Sequence, residues 1–213
     1  MIEKHIVNIG FPRTGTTWLW ECAGFDPVND KENPILTTDL DFDQYVKYYS
    51  QYQVSANFNP NLWCLDREII QFIQQHATHI TLIVRNPFDF VERFFDFIHR
   101  DEEVSVLTEF LVFGGFINYK DIIDRWSVGA VKLKVLFFED LERNPSKFFK
   151  EYMDFCQISI AKNKIIDYNV KINANPKQEK IRLNFTANQI KFINQEIDRF
   201  QTLTDRDLTH WKK

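Results

Sequence analysis

The order of hydropathy patterns along the chain predicts an α/β fold in which a central, mostly parallel sheet is flanked by helices. Short apolar runs at residues 5–11, 79–84 and 132–138 have the length and β-branched content of buried strands, and helix-period segments separate them. The first run also ends in a glycine-rich turn that opens a helix, as in a sheet that delivers its loops at the carboxyl edge. Strands pointing the same way need such crossovers, because no tight hairpin can join them.

Each element has its own signal. His5-Ile6-Val7-Asn8-Ile9 alternates and then runs apolar into Gly10, and Thr16 to about Ala23 reads as the helix that follows. Gly24 to Leu40 is rich in Asp, Asn and Pro and reads as loop. Asp41 to Tyr52 reads as a helix with Phe42, Tyr45, Val46 and Tyr49 on one face, and Asn61 to His76 as another. His79-Ile80-Thr81-Leu82-Ile83-Val84 is nearly continuous in apolar character, which suits a strand buried on both faces. It ends in Arg85-Asn86-Pro87. Proline is pre-organised for a first helical position, so Pro87 to about His99 reads as a helix carrying Asp89 in its first turn. Helices are expected at Val104–Val112 and Tyr119–Trp126, separated by Gly114-Gly115. A strand over Lys132–Phe138 ends at Glu139-Asp140, and Pro145 to Cys156 follows as an amphipathic helix. Beyond Ile158 the pattern weakens. Asn173 to Leu183 reads as a polar loop and Ala187 to Phe200 as a last helix.

With 213 residues, 44% of them hydrophobic, and no repeat or composition break, a single domain over 1–213 is expected. A net charge of -4 and a pI near 5.8 argue against a nucleic-acid binder, which would carry a basic excess. The three cysteines, Cys22, Cys64 and Cys156, show neither a disulfide framework nor zinc spacing, which points to a reducing compartment. No leader-like apolar run opens the chain, and no stretch approaches the roughly 20 apolar residues of a membrane helix. A cytoplasmic protein with no membrane span is the expectation.

The chemistry is concentrated after the first strand. Gly10-Phe11-Pro12-Arg13-Thr14-Gly15-Thr16-Thr17 keeps the glycine spacing of a P-loop, in which backbone N–H groups curl round a phosphate, but Thr16 stands where the lysine should be. The nearest cation is Arg13, inside the loop. Such a loop can hold a nucleotide's 5′-phosphate against a helix N-terminus while the arginine touches the group being transferred. Arg85 and Glu139, at the ends of two other strands, are expected at the same carboxyl edge.

Four segments, in order, resemble the PAPS-dependent sulfotransferase family. Phe11-Pro12-Arg13-Thr14-Gly15-Thr16-Thr17-Trp18-Leu19 is similar to its 5′-phosphosulfate loop, P-[KR]-[ST]-G-[TS]-[TS]-x-L, and Ile83-Val84-Arg85-Asn86-Pro87-Phe88-Asp89 to its 3′-phosphate segment, V-R-[ND]-P-x-[DE]. Val135-Leu136-Phe137-Phe138-Glu139-Asp140-Leu141 with Asn144-Pro145, and Asp207-Leu208-Thr209-His210-Trp211, extend the likeness to the C-terminus. The resemblance implies a P-loop-like sulfotransferase fold. It also implies transfer of a sulfuryl group from 3′-phosphoadenosine 5′-phosphosulfate to a hydroxyl or amine, on a small-molecule or carbohydrate acceptor, without a metal. It implies donor-binding roles for Pro12, Arg13, Thr14, Gly15, Thr16, Thr17, Trp18, Arg85 and Arg93, with Trp18 equally suited to packing the first helix. Arg13 would stabilise the leaving oxygen. Arg93 stands where members usually place a serine, and the cytosolic branch's R-K-G is replaced by Ala174-Asn175-Pro176, with Lys177, Lys180 and Arg182 nearby.

A general base must take the acceptor's proton. By resemblance to heparan-type members, Glu32 in Lys31-Glu32 leads, with Asp39, Asp41 and His99 behind it, while His76 and His79 read as structural. Two other readings compete: a P-loop kinase, which the absent lysine and absent Walker-B acid disfavour, and a degenerate nucleotide-binding module of the same fold.

Overall fold

A computed structural model describes residues 4–25, 41–98, 104–159, 167–168 and 182–213. It divides into two compact units, Met1–Val84 with Arg125–Ala174, and Arg85–Asp124 with Asn175–Lys213.

The first unit is built on four parallel strands, β1 (Lys4–Asn8), β2 (Val54–Asn57), β3 (His79–Val84) and β4 (Lys132–Phe137), in the order β2-β1-β3-β4. Helices α1 (Thr16–Ala23), α2 (Phe42–Tyr49), α3 (Arg67–His76), α7 (Phe138–Arg143) and α8 (Pro145–Cys156) belong to the same unit. One face of the sheet, through Ile6, Ala56, Ile83 and Leu136, is sealed by Trp18, Leu19 and Cys22 of α1, Leu141 of α7, and Phe148, Phe149, Tyr152 and Met153 of α8. These aromatic and aliphatic surfaces leave water together, which is the main favourable term holding the unit. The edge strand β4 carries Lys132 and Lys134 on its outer half, and Lys134 pairs with Glu151 of α8 at 2.8 Å. Edge lysines oppose pairing with another chain.

The opposite face holds a buried polar network. His5 Nδ1 lies 2.8 Å from Ser55 Oγ, its Nε2 lies 2.7 Å from the Tyr45 hydroxyl, and Asn57 Nδ2 donates to that hydroxyl at 3.5 Å. Tyr45 and Tyr49 of α2 also pack their rings on the imidazole. The network explains β2, a strand absent from the sequence reading. Val54-Ser55-Ala56-Asn57 alternates over only four residues and carries no large apolar side chain but Val54, yet its polar side chains are satisfied by His5 and Tyr45, so burying them costs little. The predicted helix from Asn61 likewise splits into a 3-10 turn at Leu62–Cys64 and α3. Helix α7, also unforeseen, follows β4 without a linker.

In the second unit, α4 (Pro87–Ile98), α5 (Val104–Phe113), the start of α6 (Tyr119–Trp126) and α9 (Ala187–Gln201) share an aromatic core. Phe94 meets Phe116, Phe113 meets Phe192, and Phe200 lies between Tyr119 and Trp211. Thr186 and Gln189 form a reciprocal capping box that starts α9.

Burial holds the His5 imidazole far below its usual range, at about 3, with His76 adding to the effect. A histidine depressed on folding stabilises fully above its unfolded pKa, and this contribution is lost as pH falls below about 6.5, at about 1.4 kcal/mol per pH unit. In urea unfolding between pH 7.5 and 4.5, His5→Gln should therefore show a shallower acid loss of stability than the parent protein. Equal slopes would remove His5 as the cause. His79, also held below its usual range, contributes alike in both.

Candidate functional site

The strand order reverses at β1, since β2 lies on one side and β3 on the other, and such a switch point opens a crevice at the carboxyl ends of the two diverging strands. The loop that leaves β1 there is tightly specified. Ile9 N–H donates to the Thr81 carbonyl of β3 at 2.8 Å, the last rung of the ladder. The next donor, Gly10 N–H, turns instead to Asn8 Oδ1 at 2.9 Å, and the buried Thr14 hydroxyl donates across the loop to the Phe11 carbonyl at 2.7 Å.

Arg13 (φ 66°) and Gly15 (φ 87°) adopt the left-handed conformation, and Thr14 between them does not. Alternation of this kind turns successive N–H groups inward to form an anion-binding concavity. Gly15 is the N-cap of α1 and supplies no side-chain cap, and the helix carries no acid in its first turn. The partial positive charge of the helix start is therefore left for an anion. Thr16 is buried, whereas Pro12, Arg13 and Thr17 are partly exposed. The glycines are needed for room as well as for φ. A Cβ on Gly15 would sit 2.7 Å from Leu141 Cδ2 of α7, and one on Gly10 would sit 2.7 Å from Asn8 Oδ1. A nucleotide phosphate fits this cradle by the chemistry of its donors.

Trp18 divides along the two roles expected of it. Its ring is buried against Phe148, Phe149 and Tyr168 at 6.1 to 6.4 Å between centroids, so packing claims the indole. Only its backbone N–H belongs to the helix start.

In the second unit, Arg85 is buried, and its Nε donates to Asp89 Oδ2 at 2.8 Å while Nη2 reaches the same oxygen. Its carbonyl accepts the Tyr119 hydroxyl at 2.7 Å. Asn86 Oδ1 accepts Phe88 N–H at 3.0 Å, and Asn86 Nδ2 donates to the Trp211 carbonyl at 3.4 Å. Thus the C-terminal Asp207–Trp211 motif braces the start of α4. Arg93 lies partly exposed on α4, eight residues after Arg85. Arg182, one of three basic candidates after the missing R-K-G, is engaged by the buried Glu92 at 3.1 Å, which Lys213 also approaches at 3.8 Å. Lys177 and Lys180 lie outside the described residues.

Of the base candidates, Glu32, Asp39 and His99 lie outside the described residues. Asp41 is exposed and caps α2, its Oδ1 accepting Gln44 N–H at 2.8 Å. His76 and His79 make local contacts to the Phe72 carbonyl and the Thr78 hydroxyl. Glu139 falls in the first turn of α7. The sequence reading passed over Asn8 and Thr81, although a polar residue between apolar Val7 and Ile9, two positions before the glycine, was the available signal.

This is the sulfotransferase fold. The chain is similar in structure to a sulfotransferase from Alicyclobacillus acidocaldarius, with a TM-score of 0.67 and 14% identity over 100% of both chains. It is also similar to mouse sulfotransferase SULT7A1 complexed with PAP, with a TM-score of 0.59 and 16% identity over 99% of this chain and 87% of that one. No protein-family profile and no curated protein sequence matches it. Among the described residues, no helix is long and apolar enough to cross a membrane, and no cluster of three or more His, Cys, Asp or Glu side chains could hold a metal.

Gly15→Ala should destabilise the protein by about 1–3 kcal/mol, because an L side chain is strained at that φ and meets α7. Denaturant unfolding reads the change. A loss below about 0.5 kcal/mol, the range of an ordinary surface substitution, would mean the loop does not need that conformation.

Proposed function

We propose that this chain is a sulfotransferase, one domain over 1–213, that transfers a sulfuryl group from 3′-phosphoadenosine 5′-phosphosulfate to a hydroxyl or amine acceptor. The observation that carries the reading is the loop of residues 10–17. Its backbone alternates in hand beside a helix start with no side-chain cap, and a cation lies within the loop at Arg13 and not at the P-loop lysine position. The fold shared with sulfotransferases, and PAP in the mouse enzyme, support the choice of donor.

In this reading the donor supplies the sulfuryl group and a good leaving group. The N–H groups of Thr14 to Trp18 and the hydroxyls of Thr16 and Thr17 hold the 5′-phosphate and the sulfuryl oxygens, and Pro12 stiffens the turn. Arg13 stabilises the charge that gathers on the bridging oxygen as the sulfur–oxygen bond breaks. A guanidinium keeps its proton at ordinary pH, so the effect is electrostatic. The acceptor's proton passes to a base, for which Glu32 is proposed from the likeness to heparan-type members. Arg85 and Arg93 are proposed for the 3′-phosphate on the family resemblance. Asp89 then orients the Arg85 fork, and one of Lys177, Lys180 and Arg182, the last paired with Glu92, is proposed to cover the nucleotide. The acceptor is a small molecule or carbohydrate, and the setting is cytoplasmic.

Calorimetry should detect binding of 3′-phosphoadenosine 5′-phosphate, and labelled donor should pass its sulfate to members of a panel of phenols, alcohols, amines and glycans. Arg13→Ala should lower turnover by about 10²–10³-fold, as for loss of one transition-state donor, while nucleotide affinity falls far less. Tight magnesium-ATP binding without binding of that nucleotide would replace this reading with a kinase. Nucleotide binding with no turnover across the panel would leave a binding module.

A further inference from the structure

We propose that Asn8 is a positioning residue for the phosphate-binding loop, holding the Gly10 N–H in the direction that lets residues 10–17 close around a phosphate. The inference rests on the donor-binding reading above and adds a residue to it.

A strand buried on both faces is ordinarily apolar, because each buried polar group costs free energy unless it is fully hydrogen-bonded. Asn8 and Thr81 are both completely buried, yet both are polar and face each other across β1 and β3. Asn8 Nδ2 donates to Thr81 Oγ1 at 2.8 Å, and Asn8 Oδ1 accepts Gly10 N–H at 2.9 Å. The backbone N–H can only donate, so the carboxamide has one workable orientation, and Thr81 anchors its other end. This arrangement ends the ladder. Ile9 N–H is the last donor spent on β3, and the Asn8 side chain takes the following one, bending the chain away from the sheet at Gly10.

The same carboxamide explains the glycine. A Cβ at Gly10 would meet Asn8 Oδ1 at 2.7 Å and Thr16 Cγ2 at 2.9 Å, so Asn8, Gly10 and the first residue of α1 are packed as one cluster. Strand end and loop base are thereby tied by a single side chain, with the helix start packed close to Gly10. An apolar residue at position 8 would leave the Gly10 donor and the Thr81 hydroxyl without these partners, and the loop would relax to satisfy them elsewhere.

The test compares two nucleotides that differ only at the 5′ position. By NMR titration, which reads weak binding, Asn8→Leu should lose about tenfold or more in affinity for 3′-phosphoadenosine 5′-phosphate, the equivalent of a buried hydrogen bond and its unsatisfied donor. Its affinity for adenosine 3′-monophosphate, which lacks the 5′-phosphate, should stay within about twofold, less than the weakest net hydrogen bond is worth. Thr81→Val removes only the anchor and should lose about threefold toward the first ligand alone. It carries the test if Asn8→Leu does not fold. Equal losses for both ligands, or no loss for either, would reduce Asn8 to a residue of the core and overturn the proposal. Failure of the parent protein to bind 3′-phosphoadenosine 5′-phosphate is a separate result, and it overturns the donor reading together with this inference.

Discussion

At the end of β1 the backbone has more N–H donors than sheet or helix can accept, and much of the first unit is arranged around that excess. The ladder to β3 takes Ile9, the Asn8 side chain takes Gly10, and α1 begins at a glycine that caps nothing with its side chain. Helix starts ordinarily satisfy such donors with Ser, Thr, Asp or Asn. Forgoing the cap is stable only if the helix is held by other contacts, and here the Trp18 ring and Leu19 anchor α1 against the α8 core. The hydrophobic core on one side of α1 thus underwrites the open donors at its end. The close approach of Leu141 to Gly15 belongs to the same economy of space, since α7 follows β4 directly and has no slack with which to move aside.

Much of this was legible in the chain. The runs ending at Asn8, Val84 and Phe137 announced themselves by short β-branched and apolar stretches, and α4 and α8 by proline at their first positions. The loop was readable because glycine spacing is a backbone requirement written directly in residue type. β2 was not readable. Its polar residues Ser55 and Asn57 owe their burial to partners at positions 5 and 45, and no local pattern reports a hydrogen bond across that separation. Asn8 was missed for the same reason, because its partner Thr81 is distant in sequence and looks like any β-branched strand residue. The split of the predicted 61–76 helix follows from Leu65-Asp66, where extended backbone precedes α3. In the C-terminal motif the letters were visible, but the job was not. Trp211 offers a carbonyl to Asn86 and stacks on Phe200, so the resemblance there records bracing of the α4 start.

In the second unit Arg85 and Arg182 are already engaged by acidic side chains. Arg85 already spends two donors on Asp89, and Arg182 and Lys213 neutralise Glu92, a carboxylate that is almost wholly buried and would be costly alone. For a phosphate drawn to Arg85, the gain is the difference between a new charge-assisted contact and the one it shares or replaces. Held by Asp89, however, the planar fork loses less rotamer freedom on binding, so a smaller gain is kept in larger part. That trade favours defined geometry over raw attraction.

Arg13 poses the sharper question, because a non-glycine residue at positive φ costs on the order of 1–3 kcal/mol unless its surroundings over-determine it. Here they do: Thr14 ties the loop to the Phe11 carbonyl, and Gly15 turns the chain again into α1. Glycine at position 13 would relieve the strain and keep the same path for the backbone. The sequence nonetheless carries arginine there. A lysine at the P-loop position would rise from the helix start, where this chain has Thr16, buried and short. Here the cation stands upstream, on a partly exposed loop residue, and the helix start carries none. In the proposed reading, an anion held by the loop's backbone donors would also meet the charge of Arg13. That combined hold serves a reaction in which negative charge collects on a single bridging oxygen better than one in which it spreads over several.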